Sequence, residues 1–429
     1  MKRAPPSAHR VARWILLALC TYFAWHGIHA GLREQGSDFT VFYRAGEAAL
    51  ARRDPTEVER FLYWPSFAVL IAPLAWLPYR AALVAWQGAS LAALVWISAR
   101  CRRTCERELG RELPWLAWLP LLAVLRLVDS NLANGQANLL VLAPIVAAVD
   151  AWLVARERRA GAWLGLATAL KIVPGFLVVA FLWRRSSQAV AATLASAFAL
   201  VVLLAAAVLG WRTNADGLTR WYETELVPYG RGGGELLEAH EYLPGQSLSA
   251  VAYRLLCDVP ATSAGAPALR ANVVALDPDT VKWIVRALDI AVLLGLAVAL
   301  SVSVKRNAPG ARLHESALVV CCALALAPLV HKAHLVWLIW PFSVLCAGVS
   351  MDLAPLLRRV RWFLVGLSFV AIGATTPALI GRALATEALS HDVLFVALAC
   401  VAGALVVDVC GAKSAAARDG TLRQAPLLV

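Results

Sequence analysis

Long apolar runs separated by short charged punctuation dominate this chain, and a spanning helix needs roughly 20 mostly apolar residues. Runs of that kind fall at 11–30, 81–99, 114–130, 136–155, 188–210, 281–304, 315–330, 335–350, 362–381 and 392–410. Two segments do not fit the pattern. Residues 66–78 are apolar over too short a stretch and carry prolines, so they read as a re-entrant or interfacial helix. Residues 160–183 hold Lys171 and Pro174 at their middle and read as two half-helices forming a hairpin within the membrane. Broken helices are tolerated at that depth where they line a cavity. Phe39, Tyr43, Glu47 and Leu50 recur at helical spacing, which predicts an interfacial amphipathic helix. The fold class is therefore an all-α polytopic membrane protein of about ten to twelve transmembrane helices. Residues 1–410 form one transmembrane domain and 411–429 a short cytoplasmic tail.

Composition agrees, since 60% of the 429 residues are hydrophobic, 16% are charged, and the mean hydropathy is +0.66. This excess of apolar surface requires the lipid bilayer as partner. The net charge of +12 would suit nucleic acid, but the basic residues sit in clusters between apolar runs and form no single surface, which excludes that partner. They serve instead as topology signals. With the two exceptional segments not counted as full spans, 23 of the 40 Lys and Arg residues lie at 1–13, 100–113, 156–159, 184–187, 305–312, 358–361 and 411–429, all on one side. The positive-inside rule makes that side cytoplasmic. The N-terminus is then cytoplasmic, its first apolar run a retained helix, and long loops at 31–65 and 211–280 face outward. Nine cysteines are scattered and odd in number, which argues against a disulfide framework; Cys101 and Cys105 lack further ligands for a metal.

Polar residues placed against this pattern are the candidates for chemistry. Asp38 stands where the first spanning helix has ended, as an N-cap for the following helix or as a carboxylate for acid–base work. Lys171 lies inside an apolar segment, either snorkelling or holding an anion. His331, Lys332 and His334 form a cationic patch at an outer helix end, or simply an interfacial loop. Gln136 and Asn138 suit sugar hydroxyls or a helix cap equally. Asp277 and Asp279 look like a metal-binding pair, but they precede a helix and read as its cap. Neither a P-loop nor a dinucleotide fingerprint occurs, which argues against a soluble nucleotide donor. Most of the 17 tryptophans flank spans, as interfacial anchors do.

In order along the chain run DFTVFYRAG (38–46), YWPSFAVLIAPLAWLP (63–78), NGQANLL (134–140), GLATALKIVP (165–174), GQSLSAVAYR (245–254) and APLVHKAHLVWLIWP (327–341). This series resembles glycosyltransferase family 87, membrane enzymes of GT-C type that include bacterial polyprenyl-phosphate-mannose-dependent α-mannosyltransferases. The resemblance implies a GT-C fold, a polyprenyl-phosphate-linked sugar donor, a glycolipid or glycan acceptor, and transfer on the outer face of the cytoplasmic membrane with inversion. It implies that Asp38 is the general base. Lys171, His331, Lys332, His334 and Arg254 become candidates for the donor phosphate, and Gln136, Asn138, Gln246 and Tyr43 for the sugar or acceptor. His334 fits the family's histidine position better than His331, although the serine and tryptophan that commonly precede it are absent. Phosphate leaves as a stable anion, so one carboxylate and several cations suffice, with no second acid; no cofactor is expected, and the sequence leaves metal dependence open. A transporter or flippase, which would also carry broken helices and intramembrane charge, is the alternative; no inverted repeat favours it.

Overall fold

The structure is a computed structural model describing residues 5–33, 37–233, 237, 245–261, 269–308, 310–348 and 353–411. The expected tail lies almost wholly outside the described residues. Among these residues the chain is all-helical, with no β-strand. Four helices are long and apolar enough to cross a membrane: Tyr79–Leu109, Ser187–Leu209, Pro278–Arg306 and Val393–Gly411. Pro355–Gly373 and Pro377–Ser390 make a fifth if that bent pair is counted as one span. Around them stand the 28-residue helix Pro6–Arg33 and shorter apolar helices such as Asn138–Leu153 and Lys332–Ala347.

Local sequence explains where helices stop. The expected span at 114–130 is broken into Pro114–Ala117, Leu119–Ala123 and Leu125–Ala133; Pro114 and Pro120 each sit in the first turn of a new segment. The run at 362–381 does not continue straight. A bend of 91° separates Pro355–Gly373 from Pro377–Ser390, with Thr376 extended ahead of Pro377 and Gly381 at φ +79°. The two half-helices anticipated at 160–183 are present: Glu157–Leu170 ends at Lys171, whose backbone is extended, and the chain resumes as Val173–Leu177 and Val178–Trp183. The short segment at 66–78 likewise folds as Pro65–Ile71 followed by a tighter turn, Ala72–Trp76.

Helix Glu157–Leu170 packs nearly backbone to backbone on Ser187–Phe198. A Cβ on Gly161 would lie 2.2 Å from the Ala189 carbonyl oxygen, and one on Gly165 would lie 2.5 Å from Ser196 Cβ. Small residues four apart allow this approach, which replaces the hydrophobic driving force that lipid cannot supply.

The basic clusters gather at one end of the bundle through a connected series of contacts. His9 bonds Glu112 at 3.0 Å, Arg111 donates to the Ala347 carbonyl at 2.7 Å, and Arg361 donates to Leu345 O and to Asp408 at 2.6 and 2.7 Å. Arg184 clasps Glu315 through two nitrogens, and Arg107 meets Asp150 at 2.8 Å. At the other end a large cavity opens.

Candidate active site

Asp38 opens the helix Asp38–Leu50, but it is not its cap. Ser37 occupies the cap position, and Asp38 is the first helical residue. Its backbone N–H donates to the Asn134 carbonyl at 3.1 Å, and its carboxylate accepts a hydrogen bond from Gln136 Nε2. That bond depends on the sharp turn of NGQAN. Gly135 has φ +63°, and a Cβ there would stand 2.8 Å from Phe39 Cβ, so glycine is needed both for conformation and for approach. Trp86 Nε1 holds the same turn by donating to the Gly135 carbonyl at 2.9 Å.

A polar chain runs onward from Gln136. Asn138 Nδ2 donates to Gln136 Oε1 at 3.3 Å, and Lys171 Nζ donates to Asn138 Oδ1 at 3.1 Å. Lys171 Nζ also contacts His334 Nε2, and the other ring nitrogen of His334 accepts the His331 backbone N–H at 3.1 Å. Four distant parts of the sequence thereby deliver one carboxylate, two amides, one amine and one imidazole to a continuous line. Breaking the helix at Lys171 is what aims its ammonium inward, past the Tyr63 ring, whose centre is 5.4 Å away.

This line forms part of the wall of a cavity of about 1130 Å³. Asp38, Gln136, Lys171, Gln246, His331, Lys332 and His334 all line it. Burial raises the pKa of the Asp38 carboxyl, while the Gln136 bond and the charges of Arg60 and Lys171 pull it back down. A half-buried carboxylate of raised basicity facing a cationic cluster can take a proton from a hydroxyl while an anion rests on the cations. Among the described residues, no group of three or more His, Cys, Asp or Glu could hold a metal ion.

The model of glycosyltransferase family 87 matches residues 61–331, well over half of the chain. The chain belongs to glycosyltransferase family 87. It is 35% identical over 179 residues to a polyprenol-phosphate-mannose-dependent alpha-(1-2)-phosphatidylinositol mannoside mannosyltransferase of Mycobacterium tuberculosis, covering 38% of this chain and 40% of that one. It is 28% identical over 245 residues to a protein of the same name from Mycolicibacterium smegmatis, covering 52% and 53%. The chain thus spans about half the length, or less, of the curated relatives it matches. No solved structure matches it.

Not every residue taken from the family 87 motifs reaches the cavity. Arg254, expected at the donor phosphate, is fully buried and pairs with Asp392, joining helix Leu248–Leu256 to the turn before the last helix. A buried guanidinium requires a counter-charge, and Asp392 meets that need away from the cavity lining. Tyr43, expected at the sugar, instead donates its hydroxyl to the Leu77 carbonyl at 2.9 Å and ties helix Asp38–Leu50 to the end of the Ala72–Trp76 turn. Asn138 stands behind the lining, where it orients Gln136 and Lys171. Gln246 lines the cavity while bonding Leu389 O and Phe395 N, each at 3.3 Å. The Asp277 side chain accepts the Asp279 and Thr280 N–H groups, the cap expected of it.

The lining also includes residues to which the sequence assigned no role. Arg60 stands near Asp38 in a left-handed conformation (φ +66°) that costs a non-glycine residue roughly 1–2 kcal/mol. Tyr63, Trp64, Trp221 and Glu225 complete an aromatic wall. Only the aromatic run YWP at 63–65 offered a sequence signal for part of it.

Proposed function

We propose that this family 87 protein transfers a hexose, mannose, from a polyprenyl-phosphate carrier to an acceptor hydroxyl on the outer face of the cytoplasmic membrane. The carrying observation is the continuous line from Asp38 through Gln136, Asn138 and Lys171 to His334 inside one cavity. Asp38 takes the acceptor's hydroxyl proton as that oxygen attacks the anomeric carbon. The bond from that carbon to the phosphate oxygen breaks, and the polyprenyl phosphate departs with the electron pair, inverting the centre. Lys171 and His334, with Lys332 and His331 beside them, hold the phosphate, whose charge grows as the bond breaks.

The relatives' printed names and the cationic cluster support this donor, and the same names support a glycolipid acceptor of the phosphatidylinositol mannoside kind. The outward orientation rests on the basic clusters at the end of the bundle away from the cavity. Purified protein in nanodiscs, given synthetic polyprenyl-phosphate-mannose and a membrane glycolipid extract, tests the reading. Mannosylated lipid from wild type and almost none from Asp38→Asn is expected. Equal product from both proteins removes Asp38 as base, and no product from either with any lipid-linked sugar favours a transporter.

A further inference from the structure

The cavity has two chemically different walls, and the donor accounts for one. Besides the cationic cluster and Tyr63, the lining holds Trp64, Trp221, Thr224 and Glu225. The last two belong to a π-helical turn, Tyr222–Leu226, that follows helix Trp211–Trp221. A π-turn takes in an extra residue and re-aims the side chains around it, and such turns are frequent at functional sites. Here three consecutive residues, Thr224, Glu225 and Leu226, are turned onto the cavity.

The two tryptophans are fixed before any ligand arrives. Trp221 Nε1 donates to the Leu62 carbonyl at 3.1 Å, Trp64 Nε1 donates to the Ala169 carbonyl at 2.8 Å, and their ring centres lie 5.1 Å apart at 42°. With both N–H groups engaged by backbone, the indoles have ring surface to offer a ligand. Glu225 is buried, and Arg220, five residues earlier, pairs with Asp54 and Glu57 at 3.3 and 3.0 Å.

We propose that Trp64, Trp221, Thr224 and Glu225 form the seat of a neutral saccharide unit of the acceptor. The assignment rests on the transferase reading, which places the donor phosphate at Lys171 and His334. A phosphate is disfavoured beside Glu225 by like charge, and an isoprenoid chain by the carboxylate and hydroxyl it would desolvate. A sugar ring suits both parts of the wall, with its C–H face against indole and its hydroxyls toward the carboxylate. At about 1130 Å³ the cavity exceeds the ~300–1,000 Å³ typical of a pocket for one small ligand, which leaves room for two substrates.

Two measurements on the full chain in nanodiscs decide the matter. In bisubstrate kinetics with a mannose-headed diacylglycerol acceptor, Glu225→Gln and Trp221→Leu should raise the acceptor KM by about 10- to 100-fold, the loss of a charge-assisted hydrogen bond or a stacked face, with donor KM unchanged. Glu225→Asp should restore part of the affinity. A rise in donor KM with acceptor KM unchanged overturns the proposal. Without donor, the same glycolipid carrying a diazirine on its sugar should label residues 63–64 and 221–226, and unlabelled glycolipid should compete. Labelling there by a wild type that transfers nothing sinks the transferase reading and keeps the subsite. Labelling elsewhere, or equal labelling by a diazirine lipid without sugar, overturns the subsite whether or not transfer occurs.

Discussion

Both ends of the bundle bury cations, and they treat them differently. At the basic end the two most buried are closed on acids: Arg184 on Glu315 and Arg361 on Asp408. At the cavity end Lys171 and His334 face one another, and among the described residues no carboxylate lies within salt-bridge distance of either. The only carboxylate on the polar line, Asp38, is reached through two amides. His334 Nδ1 accepts the His331 N–H, so this imidazole is neutral and the charge of the cluster rests on Lys171 and Lys332, which an anion in the cavity would meet. Closed pairs of this kind hold helices together, whereas a cation cluster held apart from acids is prepared for an anionic ligand.

Mutations that separate these two uses of charge should do so by kind of effect. Asp38→Asn should lower the transfer rate by about 100- to 10,000-fold, the usual worth of general base catalysis, without loss of thermal stability; a rate within tenfold of wild type breaks the comparison at its centre. At the opposite end, Asp408→Ala strands the Arg361 guanidinium and should cost about 3–5 kcal/mol of stability. It should be read as a lower Tm in detergent, with the surviving protein keeping its donor KM. Lys171→Met should show the reverse pattern, a Tm close to wild type and a donor KM raised about 10- to 100-fold.

The pH profile sharpens the site further. Burial raises the Asp38 pKa above the ordinary carboxylate value, and the base works only when deprotonated, so activity should fall as pH drops through that raised value. Gln136→Leu removes a hydrogen bond that favours the charged form, so the acid limb should move to higher pH. An unchanged limb would mean that the group titrating in the profile is not Asp38. The smallest effect belongs to the double variant Arg254→Met with Asp392→Leu. Replacing a buried pair by apolar residues of similar size is often neutral, so donor KM should stay within about twofold of wild type. A large rise there would restore Arg254 as a phosphate ligand.

Hydropathy made the helical character, the helix break at Lys171 and the amphipathic helix after Asp38 legible, because each depends on residues close in sequence. The break at 114–130 and the bend at 373–377 were hidden, since an apolar run scores the same whether it is straight or turned by proline. Loop 211–280 was misleading for the opposite reason. Trp211–Arg231 folds as consecutive helical turns too polar to register as a span, so Trp221 and Glu225 stayed out of view. In the site, the motifs indicated which residues to consider but not which would meet. Asp38 and Gln136 are 98 positions apart, and only packing through the Gly135 turn joins them. The QSL…R motif placed Arg254 near enough to be considered, and only the fold supplied Asp392.

The division of labour between the carboxylate and the cations is tested most directly by measuring donor binding and transfer separately. Equilibrium binding of polyprenyl-phosphate-mannose and single-turnover transfer would be recorded for wild type, Asp38→Asn and Lys171→Met. Asp38→Asn should bind donor as wild type does and transfer almost nothing, while Lys171→Met should bind about 10- to 100-fold more weakly. Single-turnover transfer by Asp38→Asn at the wild-type rate would contradict the account.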